Sequence, residues 1–472
     1  MEHGTGVETQ SERATGLTAP IVRPHVFVAL ECARPLGGAA RFALSDADEV
    51  VFGRGTARGS KRTVEGGVRR LTISVPDARM SQRHATLRAA GTEFVLEDAG
   101  SRNGTKLDGQ PITRAALADG SVFQLGRTLF VFRSALLTPG GLAPDSNDQE
   151  LALSLPGLRT VLPQLAGQLA ALIRVARSDV PVLVLGETGS GKELLARAVH
   201  QLGRPGRPLV AVNCGALPQP LVESQLFGHV RGAFSGAVRD ELGFVRAADG
   251  GTLFLDEIAD LSGSSQAALL RVLQEKEVIP LGATRPIPVD VRIVAATHAQ
   301  LDERVLQGTF RNDLLARLSA FAFRMPPLRE RREDLGLIIA EILRRAAPDR
   351  SAALRLEPEA GAALLAYDWP HNVRELEHTL SVALALTSDE VLGLAQLPPA
   401  VAAASLGQAG REAMVDTEGA ALREELVAAL VKHDGNVSAA AREMGRARPL
   451  LHRWIHRFHL DPNVFRKSGK SE

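Results

Sequence analysis

The sequence predicts a multidomain chain: an N-terminal all-β sandwich, a central α/β domain with a helical lid, and an all-α C-terminal segment. Three observations predict it. Short alternating apolar runs broken by Gly, Asp and Asn fill residues 20–135. From about residue 156 strand-like and helix-like runs alternate, and after about residue 415 the chain is helical and locally basic. At 472 residues the chain exceeds one ordinary core, so several domains are expected.

In the first segment His25–Leu30, Glu93–Leu96 and Leu129–Phe132 read as strands, and their spacing with turn residues between them indicates a sandwich over 20–135. The Gly/Pro/Asp/Ser-rich stretch Thr138–Asp148 marks a linker over 136–155. Val182–Leu185 and Leu253–Leu255 are continuous apolar runs, as strands buried on both faces of a parallel sheet require, giving an α/β part over 156–330. Leu335, Ile338, Ile339, Ile342 and Leu343 repeat at helical spacing and open a helical lid over 331–396. An Ala/Gly/Pro-rich linker is expected over 397–415 and a small helical domain over 416–463.

Composition narrows the function classes. Lys+Arg is 55 against Asp+Glu 54, a net charge of +1, so any nucleic-acid surface must be local rather than global. Cys32 and Cys214 are the only cysteines and offer neither a disulfide framework nor metal-ligand spacing, which fits a reducing cytoplasm. The polar N-terminus does not read as a signal peptide, and the uncharged run Val391–Gly410, with Pro398-Pro399, reads as linker rather than membrane span. A cytoplasmic protein without a membrane partner is expected.

Gly186-Glu187-Thr188-Gly189-Ser190-Gly191-Lys192 follows a strand and opens a helix. Its glycines let backbone N–H groups converge on phosphates at a positive helix end, and Lys192 neutralises them. Glu193 stands where a Ser or Thr hydroxyl usually reaches Mg²⁺. Further along, the apolar strand Gly251–Leu255 ends in Asp256-Glu257, placing Asp256 near a metal and Glu257 near an attacking water. ATP and Mg²⁺ are therefore the expected ligands.

Glu223-Ser224-Gln225-Leu226-Phe227-Gly228-His229-Val230-Arg231-Gly232-Ala233-Phe234-Ser235-Gly236-Ala237 resembles the polymerase-contacting loop of the sigma-54-dependent activators, bacterial enhancer-binding AAA+ ATPases. In that family the phosphate loop ends in Gly-Lys-Glu, as here. The resemblance implies that Asn213 holds Glu257 away from water until a partner is engaged, and that Thr297 senses the γ-phosphate. It implies that Arg311 and Arg317 reach into a neighbouring subunit's site, and that Arg374, in Trp369-Pro370-His371-Asn372-Val373-Arg374, senses nucleotide. A planar, always-charged guanidinium suits both arginine roles. Gly232, Ala233, Phe234, Ser235, Gly236 and Ala237 are the implied sigma-54 contact, and a ring of self-copies, a hexamer built from dimers, is the implied assembly. Ser235, Pro280, His298 and His371 depart from the family's usual threonine, arginine, asparagine and glycine.

Gly53-Arg54-Gly55, Ser81-Gln82-Arg83-His84 and Ser101-Arg102-Asn103-Gly104-Thr105, in this order between strands, resemble the forkhead-associated (FHA) domain. That family binds phosphothreonine, which implies Arg54 and Ser81 on the phosphate, Arg83 and Arg102 nearby, Asn103 on the peptide backbone, and a structural His84. The implied partner is a phosphothreonine protein, a Ser/Thr kinase or its substrate. The basic insert between Arg54 and Leu71 reads as a solvated, flexible loop, or as an extension of the peptide site toward acidic partners.

At the C-terminus Leu422, Leu426 and Leu430 form a helix stripe, Asn436 caps Val437–Met444, and Pro449 opens another helix. Gly435–Ala441 resembles the Fis-type helix-turn-helix that ends these activators, with Pro449–Phe458 as the helix entering the groove of enhancer DNA and Arg448, Arg453 and Arg457 as DNA contacts. Two other readings stand beside this one: an FHA-regulated DNA-binding regulator that does not act through sigma-54, and a phosphopeptide scaffold whose ATPase is only structural.

Overall fold

The computed structural model describes residues 20–91, 93–140, 142–143, 145–147, 158–387, 389–405, 426, 428–433, 436–444 and 451. The first segment is a sandwich of two sheets. Its strands run β1 Ile21–Glu31, β2 Ala40–Ala43, β3 Glu49–Arg54, β4 Gly59–Glu65, β5 Val68–Val75, β6 Ala85–Ala90 and β7 Glu93–Asp98. They continue through β8 Thr105–Leu107, β9 Gln110–Ile112, β10 Arg114–Leu117, β11 Val122–Leu125, β12 Thr128–Thr138 and the two-residue β13 Ser146–Asn147. One sheet has the order β13-β2-β1-β12-β11-β8-β9 and the other β10-β7-β6-β3-β5-β4. Between them lies an aromatic centre: Phe123 and Phe130 stack with centroids 5.0 Å apart, and Phe52 meets both edge-on.

The basic insert corrects one expectation. It is a β4–β5 hairpin turning at Gly66-Gly67, whose second strand runs parallel to β3. Its arginines pair with carboxylates outside the hairpin. Arg62 meets Asp145, Arg69 meets Asp48, and Arg70 meets Glu49, each at 2.7 Å. Arg58 pairs with the buried Glu31 at 2.8 Å and donates to the carbonyls of Gly37 and Gly38. Part of the expected linker is structured too, since β13 pairs with β2.

The α/β part opens with α1 Pro163–Ala176, β14 Val182–Leu185, α2 Lys192–Gly203 and β15 Leu209–Asn213. It continues with α3 Val222–Phe227, α4 Phe244–Ala247, β16 Thr252–Asp256, α5 Gly263–Glu275, a small β17–β18 pair (Glu277–Val278, Ile287–Pro288) and β19 Arg292–Thr297. Helices α6 Leu301–Leu306 and α7 Asn312–Leu318 and strand β20 Phe321–Arg324 complete it. The five-stranded sheet has the order β15-β16-β19-β14-β20 with every neighbouring pair parallel. Its middle strands are buried along almost their whole length, which is why they read as unbroken apolar runs. The lid comprises α8 Leu335–Ala346, α9 Pro358–Ala366 and α10 Asn372–Leu386, a short β21–β22 pair (Arg355–Leu356, Val391–Leu392), and α11 Pro399–Ala402. Leu397, Val401 and Ala404 are buried, so the segment read as linker begins inside the lid core.

The described residues through Ser405 form one compact unit, because sandwich and ATPase share a continuous apolar core. Phe27, Leu30, Leu129 and Val131 of the sandwich lie in the same cluster as Leu335, Ile339 and Leu364 of the lid. The main-chain N–H of Leu356 donates to the carbonyl of Cys32 at 2.7 Å, and Arg133 meets the buried Glu333 at 2.7 Å. Gly336 on α8 is what permits this approach: a Cβ there would sit 2.3 Å from the carbonyl oxygen of Ala29 and 2.8 Å from that of Gly38. Gly336→Ala in the full chain is therefore expected to lower the unfolding midpoint by several degrees, overpacking costing ~1–3 kcal/mol. An unchanged calorimetric scan would mean that α8 backs away without cost.

The C-terminal unit is described only in part. Leu426 and Leu430 are buried with Ala440 and Leu451, and Asn436 caps the helix Val437–Glu443 by accepting from the N–H groups of Ser438 and Ala439. Arg448, Arg453 and Arg457, and Pro449–Phe458 apart from Leu451, lie outside the described residues.

Candidate functional site: a phosphate cavity, an exposed loop and an arginine-bearing sandwich end

The phosphate loop leaves β14 and enters α2, so its N–H groups face the positive end of a twelve-residue helix. Gly189 (φ 75°) and Gly191 (φ 107°) take left-handed backbone, and a Cβ on Gly189 would lie 2.2 Å from the carbonyl of His371. The loop is thus fitted against the lid. Lys192 is buried and donates to the carbonyls of Gly186 and Glu187. The hydroxyl of Ser190 is buried and has no hydrogen-bond partner among the described residues, an orphan that a phosphate oxygen would satisfy.

Across the sheet edge β16 brings Asp256 and Glu257 to the same cavity of about 520 Å³, which Thr188, Lys192, Glu193, Asn213 and Arg374 also line. Burial, then the neighbouring Glu257 charge, raise the Asp256 carboxyl above its usual range. A crowded, desolvated carboxylate suits Mg²⁺, which takes one or two carboxylates and completes its shell with water and phosphate. Burial works against ionised Glu257, but bonds from His298 and the Lys192 charge outweigh it and hold its pKa below the usual value. Oε2 of Glu257 lies 2.8 Å from Nδ1 of His298 and 3.3 Å from Oγ1 of Thr297. Asn213 instead turns its carbonyl oxygen to the N–H groups of Gly215 and Ala216.

Several residues important to this geometry were not singled out from the sequence. Arg329 clamps Glu187 through two bonds of 2.6 and 2.9 Å, and Asn372 adds a third at 3.1 Å. Those donors pull the Glu187 carboxyl down to about 2. Asn372 also donates to the carbonyl of Thr188 and accepts from the N–H of Leu328, so the start of α10, the segment between β20 and α8, and the phosphate loop are held together. Asn372 stands inside the quoted Trp369–Arg374 motif, and Arg329 opens a visible Arg-Glu-Arg-Arg run; those were the available signals. Arg374 lines the cavity, whereas Arg311 and Arg317 do not. Both are exposed on α7 or its cap, with Arg311 paired to Asp313 at 2.7 Å.

Gly232–Ala237 closes on itself through a 2.8 Å bond from the Gly232 N–H to the Ala237 carbonyl. Phe234 is 37% exposed and leans on the His229 ring, centroids 5.0 Å apart, while Ser235 faces solvent. Val238 beside it is 79% exposed, an apolar tip that water disfavours.

At one end of the sandwich Arg54 and Arg102 are exposed and without an ion-pair partner among the described residues. The Arg102 N–H donates to Oγ of Ser81, the Arg54 N–H donates to the Ser81 carbonyl, and Asn103 donates to the carbonyl of Arg79. Arg54, Ser81, Arg102 and Asn103 are thus brought together. Arg83 turns partly aside, 3.3 Å from Glu49. Buried His84 ties the loops, accepting from the Ser81 N–H and bonding the Gly104 carbonyl.

A parallel sheet with a phosphate loop, an Asp-Glu strand end and a helical lid with an inward arginine defines an AAA+ nucleotide-binding module, here fused to an FHA-type sandwich. Comparison with known proteins agrees. The sigma-54 interaction domain family matches residues 160–324, the AAA+ ATPase lid domain 329–413 and the FHA domain 50–126. The chain is 46% identical over 300 residues to the hydrogenase transcriptional regulatory protein HoxA of Cupriavidus necator, covering 61% of this chain and 62% of that protein. It is 42% identical over 312 residues to the transcriptional regulatory protein ZraR of Escherichia coli, covering 65% and 70%. A structure of NtrX from Brucella abortus in complex with ATP aligns with TM-score 0.47 at 31% identity, over 64% of this chain and 69% of that chain. The chain belongs to the family of sigma-54-dependent transcriptional regulators, and it spans 62 and 66% of the length of the HoxA protein and of the Salmonella typhimurium ZraR protein. No helix among the described residues is long and apolar enough to cross a membrane.

Proposed function

We propose that this protein is an ATP-driven activator that works on sigma-54 RNA polymerase from enhancer DNA under phosphothreonine control. The observation that carries the reading is the convergence of Lys192, Asp256 and Glu257 on one cavity closed by Arg374. In it, the loop N–H groups and Lys192 bind the β- and γ-phosphates, and Glu257 takes the proton of the attacking water. Asp256 holds Mg²⁺, which when bound neutralises phosphate charge. Thr297 contacts the γ-phosphate, and Arg374 carries its state to the lid. Arg311 and Arg317, exposed and outside their own cavity, complete the site of the next subunit, so hydrolysis requires a ring, a hexamer assembled from dimers. Asn213 lines the same cavity as Glu257 and restrains its carboxylate once it swings from Gly215.

The tip Gly232–Ala237 presents Phe234 and Ser235 to the sigma-54 closed complex. Arg448, Arg453 and Arg457 hold DNA. The Arg54 face takes a phosphothreonine of a kinase or its substrate.

An open-complex assay with sigma-54 polymerase tests this reading. Phe234→Ala and Ser235→Ala are each expected to keep ATP turnover while losing open complexes, because the exposed tip bears on the partner and not on the cavity. Normal activation by both would remove the contact and favour a regulator acting without sigma-54, the reading that Ser235 in place of threonine keeps alive.

A further inference from the structure

We propose that His298 is a positioning residue for hydrolysis, acting through Glu257. The inference rests on Glu257 as the group that takes the proton from water. Among the described residues Glu257 is one of the few non-glycine residues in the left-handed region (φ 51°, ψ 49°), so the chain breaks sharply at the end of β16. That break sends its side chain sideways toward the end of the neighbouring parallel strand β19, where Thr297 and His298 stand.

One carboxylate oxygen, Oε2, collects all three donors: the Thr297 hydroxyl at 3.3 Å, the His298 main-chain N–H at 3.3 Å, and the His298 ring at 2.8 Å. Only the ring bond is short. An ionised carboxylate can only accept, so Nδ1 of His298 carries the hydrogen in this contact. The other oxygen, Oε1, lies 3.9 Å from Nζ of Lys192 on the phosphate side of the cavity. The three donors therefore fix the rotation of the carboxylate and leave Oε1 as the oxygen presented to water. Asn213 does not share this task here, its oxygen being engaged by Gly215 and Ala216.

The side chain of His298 is 56% exposed, so it does little for the core, and its replacement reports on catalysis rather than on folding. Nδ1 stands at the δ position, two bonds beyond Cβ, and an asparagine amide nitrogen stands at that same remove. This gives a conservative variant that restores the donor without the ring.

Steady-state ATP hydrolysis by the full chain tests the proposal. His298→Ala is expected to lower kcat about tenfold, the effect of one charge-assisted bond, with KM for ATP within about twofold. His298→Asn is expected to recover most of the loss. In single-turnover measurements on Glu257→Ala, adding His298→Ala is expected to cost nothing more, because the group it positions is gone. Unchanged or raised kcat in His298→Ala, no recovery with Asn, or losses that multiply in the double variant would each overturn the positioning role. Full turnover in Glu257→Ala itself would instead overturn the assignment of Glu257, a distinct outcome.

Discussion

Glu257→Ala is expected to bind ATP and barely hydrolyse it, with kcat down ~10²–10⁴-fold, the range for loss of a positioned general base. The reason lies in how the cavity divides its work. Phosphate binding rests on the loop between Gly186 and Lys192, the Lys192 ammonium and Arg374; of these only Lys192 faces the Glu257 side chain, at 3.9 Å, and its closer bonds to the carbonyls of Gly186 and Glu187 keep it in place. Asp256, the residue proposed to hold Mg²⁺, accepts from the Glu257 main-chain N–H, a bond that survives the substitution. Removing Glu257 also relieves a like charge beside Asp256, so affinity for nucleotide with Mg²⁺ is expected to hold or rise. Lys192→Ala should behave differently and weaken binding itself, since a buried cation within the phosphate loop is lost. Equilibrium titration with a fluorescent ATP analogue beside steady-state turnover separates the two. Near-normal turnover in Glu257→Ala would end the assignment.

What was legible in the sequence was local. The phosphate loop, the Asp256-Glu257 strand end and the Asn436 cap each lie in one short stretch whose chemistry depends on immediate neighbours. The buried strands Val182–Leu185 and Thr252–Asp256 were legible because both faces are covered and no alternation interrupts them. What was not legible depends on partners far along the chain. Arg329 reads as one arginine in a charged run until folding brings it to Glu187, 142 residues away. The β4–β5 hairpin looked like a solvated loop because the stretch after Arg54 is Gly-rich and basic, and the carboxylates that pair its arginines, Asp48, Glu49 and Asp145, lie in other strands and loops. The docking of sandwich on lid was hidden more thoroughly. It turns on Gly336 meeting the carbonyls of Ala29 and Gly38, and no pattern along either segment encodes that meeting.

That docking gives the expected effect of Arg54→Ala its interest. The substitution should weaken phosphothreonine-peptide binding by about 2–3 kcal/mol, roughly 30–150-fold, the loss for charge-assisted bonds to a dianionic phosphate. Arg54 is the last residue of β3, and the chain leaving it reaches Arg58 four residues later. Arg58 donates to the carbonyls of Gly37 and Gly38, and the Gly38 carbonyl oxygen lies 2.8 Å from where a Cβ on Gly336 of α8 would fall. Leu337, Ile338, Glu341 and Ile342 of that same helix line the nucleotide cavity. A phosphate seated at Arg54 would thus act on a strand end joined, through Arg58 and one packed turn, to the wall of the ATP site. Arg54→Ala in the full chain is expected to abolish any change in ATPase rate on adding a phosphothreonine peptide while leaving the rate without peptide unaltered. Calorimetric titration with phosphorylated and bare forms of one peptide library measures the binding, and turnover with and without saturating peptide measures the coupling. Equal affinity for phosphorylated and bare peptides would reduce the sandwich to a structural element. Tight phosphopeptide binding with no effect on turnover would keep the recognition and remove the route through Arg58 and α8.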